Sequence, residues 1–524
     1  MEQSGHSGGF FKAFVMAVMI GGVFLWPLHL YSAEAQNVRL IGHNPLQGRD
    51  SLQIVLKGNF AYIGHHRGEA FNPLTGKNEA NGTSIVEVSN PRQPKVVAHI
   101  PGRRGAESRA VQVAHNYFEG KDYLLRNQEA GEFTGFEIWD ITDKAKPRMV
   151  STICPLQAAH KSWWDAKTGY AYLSGTQAEW RGQHLIIHDL RNPYQPKFVS
   201  NWGLPQQRPG GSGGDGVSLH HPVIDGNRGY LSYLFGGDMV ILDITDKSKP
   251  GLISHLDFSP PFSGIHTTAP FNGLKVPDYS KGQGKVRNFL VLSEESFAYN
   301  CQELRRQMYI VDATEEASPK EVATFKVPDG DFCERGGRFG PHQFAETRDG
   351  EIIGGTLLYV AYFNAGLRIV DITDPYHPRE VGFYIPAPVS SDPGRGKKFI
   401  QTNDVDLDYR GLIYITDRAG NGLHILEFKG GSSSAGESHP YALTDPDMNL
   451  SIHPALIDQP QVSSPSASER TAPARDAQSD PTNEPHPASS PEASYTSASP
   501  TALTTSSVGP KLDTMPTCGN CRNS

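Results

Sequence analysis

The 524-residue chain has no long amphipathic helical stretch outside its first residues. Glycine (54 residues) and proline (39) recur along its length instead, which argues against a mainly helical fold. It also lacks a basic stripe: Asp and Glu (56) outnumber Lys and Arg (48), for a net charge of −8. A nucleic-acid partner is therefore not expected. No His-Glu-x-x-His helix and no Walker-type phosphate loop occurs, so two common routes to hydrolysis are missing. Cysteine is scarce, at five residues.

Only one long apolar run exists, Ala13 to Leu28, preceded by Lys12 and followed by Ala33-Glu34-Ala35. The run is shorter than the ~18–20 residues of a membrane span, and Pro27 interrupts it. With a small-x-small triplet before Gln36 it reads as a secretory signal over residues 1–35. Membrane contact is expected only if that segment is retained. The mature chain is expected in the periplasm or outside the cell.

What the chain does have is a recurring phrase. Its clearest copy is Gly366-Leu367-Arg368-Ile369-Val370-Asp371-Ile372-Thr373-Asp374-Pro375, continuing through Pro378 to Val381-Gly382-Phe383-Tyr384-Ile385. The first half alternates around β-branched residues and reads as a strand. The prolines end it in a turn, and a second strand follows. Related copies begin at Ile85, Phe136, Leu185, Met239, Met308 and Leu423. Their spacing of roughly 50 to 70 residues suits one four-stranded propeller blade plus loops.

The last copy has no second strand, whereas Asn37 to His43 resemble a second strand without a first. Ring closure by the N-terminal strand accounts for both. The expectation is an all-β, seven-bladed propeller over residues 36–429. Beyond it, residues 430–524 are rich in Ser, Pro, Thr and Ala and read as a disordered tail. The repeated wording resembles the LVIVD-repeat family of bacterial and archaeal exported proteins. That resemblance implies the propeller architecture and says little about activity.

Candidate chemistry follows from aligning the innermost strands. His115, His160, His220 with His221, His266 and His342 fall near the starts of five of them, and Asp404 near the start of a sixth. Innermost strands line the channel and run one way, so these imidazoles are expected to converge at one mouth. Such a set could hold copper, iron or zinc. Loops opening on the same face add His65, His66, Arg67, Glu129, Glu294 and Arg418 as candidate ligand-binding residues. Two functions are open: binding of a small molecule or an envelope protein through this face, or a metal-dependent oxidoreductase or hydrolase. Cys301 and Cys333 are expected to pair, and Cys154 to remain unpaired.

Overall fold

A computed structural model describes residues 32–430, except 117–118, 132, 212–215, 260–263, 279–282 and 389–398. The expected signal and tail lie outside the described residues, apart from their innermost few positions.

Seven antiparallel sheets follow one another along the chain. Blade one comprises Ser51–Lys57, Phe60–His65, Thr83–Glu87 and Lys95–Ile100, and blade two Val111–Asn116, Lys121–Gln128, Gly135–Asp140 and Arg148–Ile153. Blade three runs from Ala158–Asp165 through Tyr170–Thr176 and His184–Asp189 to Lys197–Trp202. Blade four runs from Ser218–Asp225 through Arg228–Phe235 and Asp238–Asp243 to Gly251–Asp257. Blade five contains Ile265–Asp278, Gln283–Glu294, Met308–Asp312 and Lys320–Phe325. Blade six has a short inner strand, Gln343–Phe344, then Leu357–Ala361, Leu367–Asp371 and Arg379–Ile385. Blade seven has Thr402–Leu407, Ile413–Asp417 and Gly422–Phe428, and is completed by the N-terminal strand Val38–Asn44. Each innermost strand neighbours the next, and blade seven's returns to blade one's.

Glu34–Gln36 forms a short strand on the outer edge of blade six, and the Glu34 carboxylate pairs with Arg335 at 2.6 Å.

The recurring phrase has a physical basis. Its Asp accepts a hydrogen bond from the amide two residues on: Asp140 from Thr142, Asp243 from Thr245, Asp312 from Thr314 and Asp371 from Thr373. These Asx turns fix the corner between third and fourth strands. A register shift beside each corner occurs in all seven blades, which lets the outer strand twist away. Gly366 opens the phrase at φ +75°, and a Cβ there would lie 2.2 Å from the Tyr384 carbonyl oxygen, so only glycine fits.

The apolar residues of the phrase, such as Leu185, Ile187, Val240, Ile310 and Ile369, are buried in layers between blades. Each contributes roughly 1.5–3 kcal/mol of burial. Polar latches cross the same seams. Ser174 Oγ donates to the Leu219 carbonyl (2.7 Å), Ser293 Oγ to that of His342 (2.8 Å) and Thr416 Oγ1 to that of Leu52 (2.6 Å). Each links the second strand of one blade to the start of the next blade's inner strand. These latches position the channel mouth.

Cys301 and Cys333 form the expected disulfide, with Cα atoms 5.3 Å apart. Cys154 corrects its expectation. It too is disulfide-bonded, to a partner outside the described residues. It follows the outer strand Arg148–Ile153 and is half-buried, which leaves its thiol open to cross-linking.

Candidate functional site

The mouth is built by a second set of bulges. The inner strands shift register between Ala159 and Ser162, Leu219 and His221, Ile265 and Thr267, and Thr402 and Asp404. A bulge adds a residue and re-aims its side chain. Here the added positions carry His160 with Lys161, His220, His266 and Asn403. All of them line one cavity of about 270 Å³.

Four imidazoles run in sequence around this cavity. Ring centroids are 4.5 Å apart for His160 and His220, 3.9 Å for His220 and His266, and 4.1 Å for His266 and His342. Their Nδ1 atoms are all engaged. His160 Nδ1 donates to Glu129 Oε2 (2.9 Å), His220 Nδ1 to the His266 carbonyl (2.8 Å), and His342 Nδ1 to the Asn403 carbonyl (2.5 Å). His266 Nδ1 donates to Thr267 Oγ1 (2.8 Å), which donates onward to Gln343 Oε1 (2.8 Å). A neutral ring with a protonated Nδ1 keeps its lone pair on Nε2. Burial, and the neighbouring imidazoles and cations, hold His220, His266 and His342 well below the usual imidazole pKa, so these rings are neutral. Among the described residues, His220, His266 and Glu295 bring one ligating atom each within 4.8 Å of one another.

A charged belt surrounds the rings. Arg109 bridges Glu107 (3.0 Å) and Glu129 (2.7 Å). Burial opposes ionisation of Glu129, but His160 and Arg109 outweigh it and hold the carboxyl far below its ordinary range. Glu107 is likewise held at about 2 against burial, by His66, Arg109 and Arg67. On the other side Glu295 accepts from Arg338 (2.9 Å) and lies 3.6 Å from His342 Nε2. Arg418 is 4.0 Å from Glu295, and burial together with Arg338 brings its pKa down to about 10.

His160, His220, His266, His342, Glu129 and Arg418 thus meet at the mouth. The other candidates do not line it. His115 lies at the far end of its strand, beside the hairpin turn, with Nδ1 2.7 Å from Asp122. The inner strand of blade two begins at Val111, not at His115, so Arg109 and Ala110 occupy the mouth there. His221 faces inward from the mouth and is wholly buried, with Nδ1 3.0 Å from Glu346. His65 is buried inside blade one, with Nε2 2.8 Å from Ser84 Oγ and Nδ1 3.2 Å from the Asp50 carbonyl. His66 and Arg67 stand behind Arg109 and share Glu107 with it.

Glu294 points the other way, accepting the Gln307 amide at 2.6 Å, and its neighbour Glu295 takes the mouth position. Asp404 sits deeper, where its carboxylate accepts the amides of Ile54 (3.0 Å) and Val405 (2.8 Å). Burial raises its pKa to about 7, against the pull of Lys161. Sequence reasoning missed Arg109, Lys161 and Arg338 as mouth residues. Adjacency offered one signal, since Lys161 follows His160.

Comparison with known proteins places the repeat. Residues 48–69, 232–257 and 352–385 match the LVIVD repeat model, covering parts of blades one, four and six. The chain carries LVIVD repeats. No curated protein matches this LVIVD-repeat chain. Similar solved structures include a periplasmic gluconolactonase of Pseudomonas aeruginosa, at 11% identity and TM-score 0.42, covering 63% of this chain and 84% of that one. A protein from Lactobacillus plantarum aligns at 13% identity and TM-score 0.41, covering 72% of this chain and 95% of its own.

Proposed function

We propose that this LVIVD-repeat propeller is an exported envelope protein that binds a small ligand at the imidazole-lined mouth of its channel. In this reading a transition metal (zinc, iron or copper) sits on His220, His266 and Glu295. The observation that carries it is a run of four neighbouring imidazoles, each hydrogen-bonded through Nδ1, which keeps Nε2 as the nitrogen for a ligand. Metal-binding histidines are held in this way, often by a carboxylate as His160 is by Glu129. Export is supported by the apolar run ending before Ala33-Glu34-Ala35, and by the Cys301–Cys333 disulfide, which suits an oxidising compartment.

A catalytic reading has one feature in its favour. Three protein donors leave coordination positions open to water or substrate, as catalytic metal sites require. Oxidoreductase or hydrolase chemistry would use those positions.

Elemental analysis of the purified protein tests the metal. About one equivalent of zinc, iron or copper per chain is expected. A His266→Ala/Glu295→Gln variant should fold and fall to background. A metal-free wild type that also takes up none of these ions on titration would sink the reading, as would equal occupancy in the variant.

A further inference from the structure

The mouth is lopsided in a way that specifies its ligand. Four cations line the cavity (Arg109, Lys161, Arg338 and Arg418) against two carboxylates, Glu129 and Glu295. Arg109 is neutralised by Glu107 and Glu129, and Arg338 by Glu295. Arg418 and Lys161 have no hydrogen-bonded carboxylate: Glu295 and Asp50 act on Arg418, and Asp404 and Glu346 on Lys161, only at longer range. The Arg418 side chain makes no hydrogen bond among the described residues, and its nearest carboxylate oxygen is at 4.0 Å. Lys161 is 8% exposed, with no hydrogen bond or ion pair among those residues.

The opposite arc, on blades four and five, is aromatic. Phe235 and Phe297 stack at 6.2 Å with planes 19° apart, and they remain 56% and 37% exposed. Both line the same cavity, with Leu234 beside them. Exposed aromatic rings beside a polar pocket mark surface that a ligand covers.

We infer that the mouth takes an organic monocarboxylate with an apolar body. Its carboxylate meets the Arg418 guanidinium, with Lys161 in support, and its apolar part lies over the Phe235–Phe297 pair. A guanidinium suits a planar carboxylate because it offers parallel donors to both oxygens. A neutral ligand would leave both cations without a hydrogen-bonded counter-charge. The inference rests on the mouth being a ligand site, but not on a metal being present there.

Phenylacetate and its neutral isostere phenylacetamide are suitable probes, titrated calorimetrically into the full chain both as purified and after chelation. Phenylacetate should bind at least roughly tenfold more tightly than the amide in both preparations. Arg418→Met should erase that preference. Phe235→Ala, at an exposed position that cannot disturb the core, should weaken phenylacetate while keeping the preference over the amide. Equal affinity for acid and amide, no binding of phenylacetate at millimolar concentration, or an Arg418→Met variant that still prefers the acid would each overturn the inference. Acid preference in a protein without metal leaves this inference standing and removes the metal. Bound metal with no acid preference does the reverse.

Discussion

His188 offers a test of how the blades tolerate a titratable group inside the repeat. It occupies the third strand of blade three, where sister strands carry Leu242, Val311 and Val370. It is 7% exposed and lies edge-on to Phe198 at 5.8 Å, and its Nδ1 has no hydrogen-bond partner among the described residues. Burial holds its pKa near 4 instead of 6.5. The folded pKa lies below the unfolded one, so the unfolded chain takes up the proton first as pH falls. The stability that neutral His188 carries is complete above pH ~6.5 and drains between ~6.5 and ~4. At pH ~5 the loss comes to roughly 2 kcal/mol.

His188→Leu removes the titration and the unpaired nitrogen. It should stabilise the protein by about 1 kcal/mol at pH ~8, and by about 3 kcal/mol at pH ~5. Asp404 and Asp50, raised by burial to about 7 and about 6, titrate with the opposite sign in the same window. They do so equally in both proteins, and the difference between the two isolates His188. Urea unfolding at the two pH values measures it, with unchanged m-values confirming a common mechanism. A gap between wild type and variant that is the same at both pH values refutes the reasoning.

Two further perturbations probe closure and cross-linking. Deleting Val38–Asn44 exposes the Gly422–Phe428 edge, and the melt followed by circular dichroism should lose its single cooperative transition; an unchanged melt would show that the ring does not depend on this strand. Replacing Cys301 and Cys333 with Ser should cost roughly 3–4 kcal/mol for the loop they close, read by chemical denaturation, and free thiols at both positions in the non-reduced protein would count against the pairing.

The blades were legible because each level of the sequence says the same thing. The strand pattern, the Asp that makes the corner and the proline that ends it recur together. Closure was legible for the same reason, since an unpaired half-repeat at each end needs its complement. The site was legible only in part. His160, His220, His266 and His342 were found because the repeat places them at strand starts. His115 was misplaced because Ala114-His115 near a hairpin turn looks the same as Ala159-His160 at a strand start. Only the pairing of Asp122 with His115 shows which end of the strand it occupies.

Two of the remaining differences share one cause. In a strand, a shift of one residue exchanges the two faces. Glu294 and Glu295 differ by one, as do His220 and His221. Which member of each pair faces the mouth is decided by a bulge or by the residue where the strand ends, and neither has a composition of its own. The repeat therefore encodes where the mouth is, while the bulges encode what faces it. Substitutions that keep the repeat but remove a bulge should leave the propeller intact and turn these imidazoles away from the cavity.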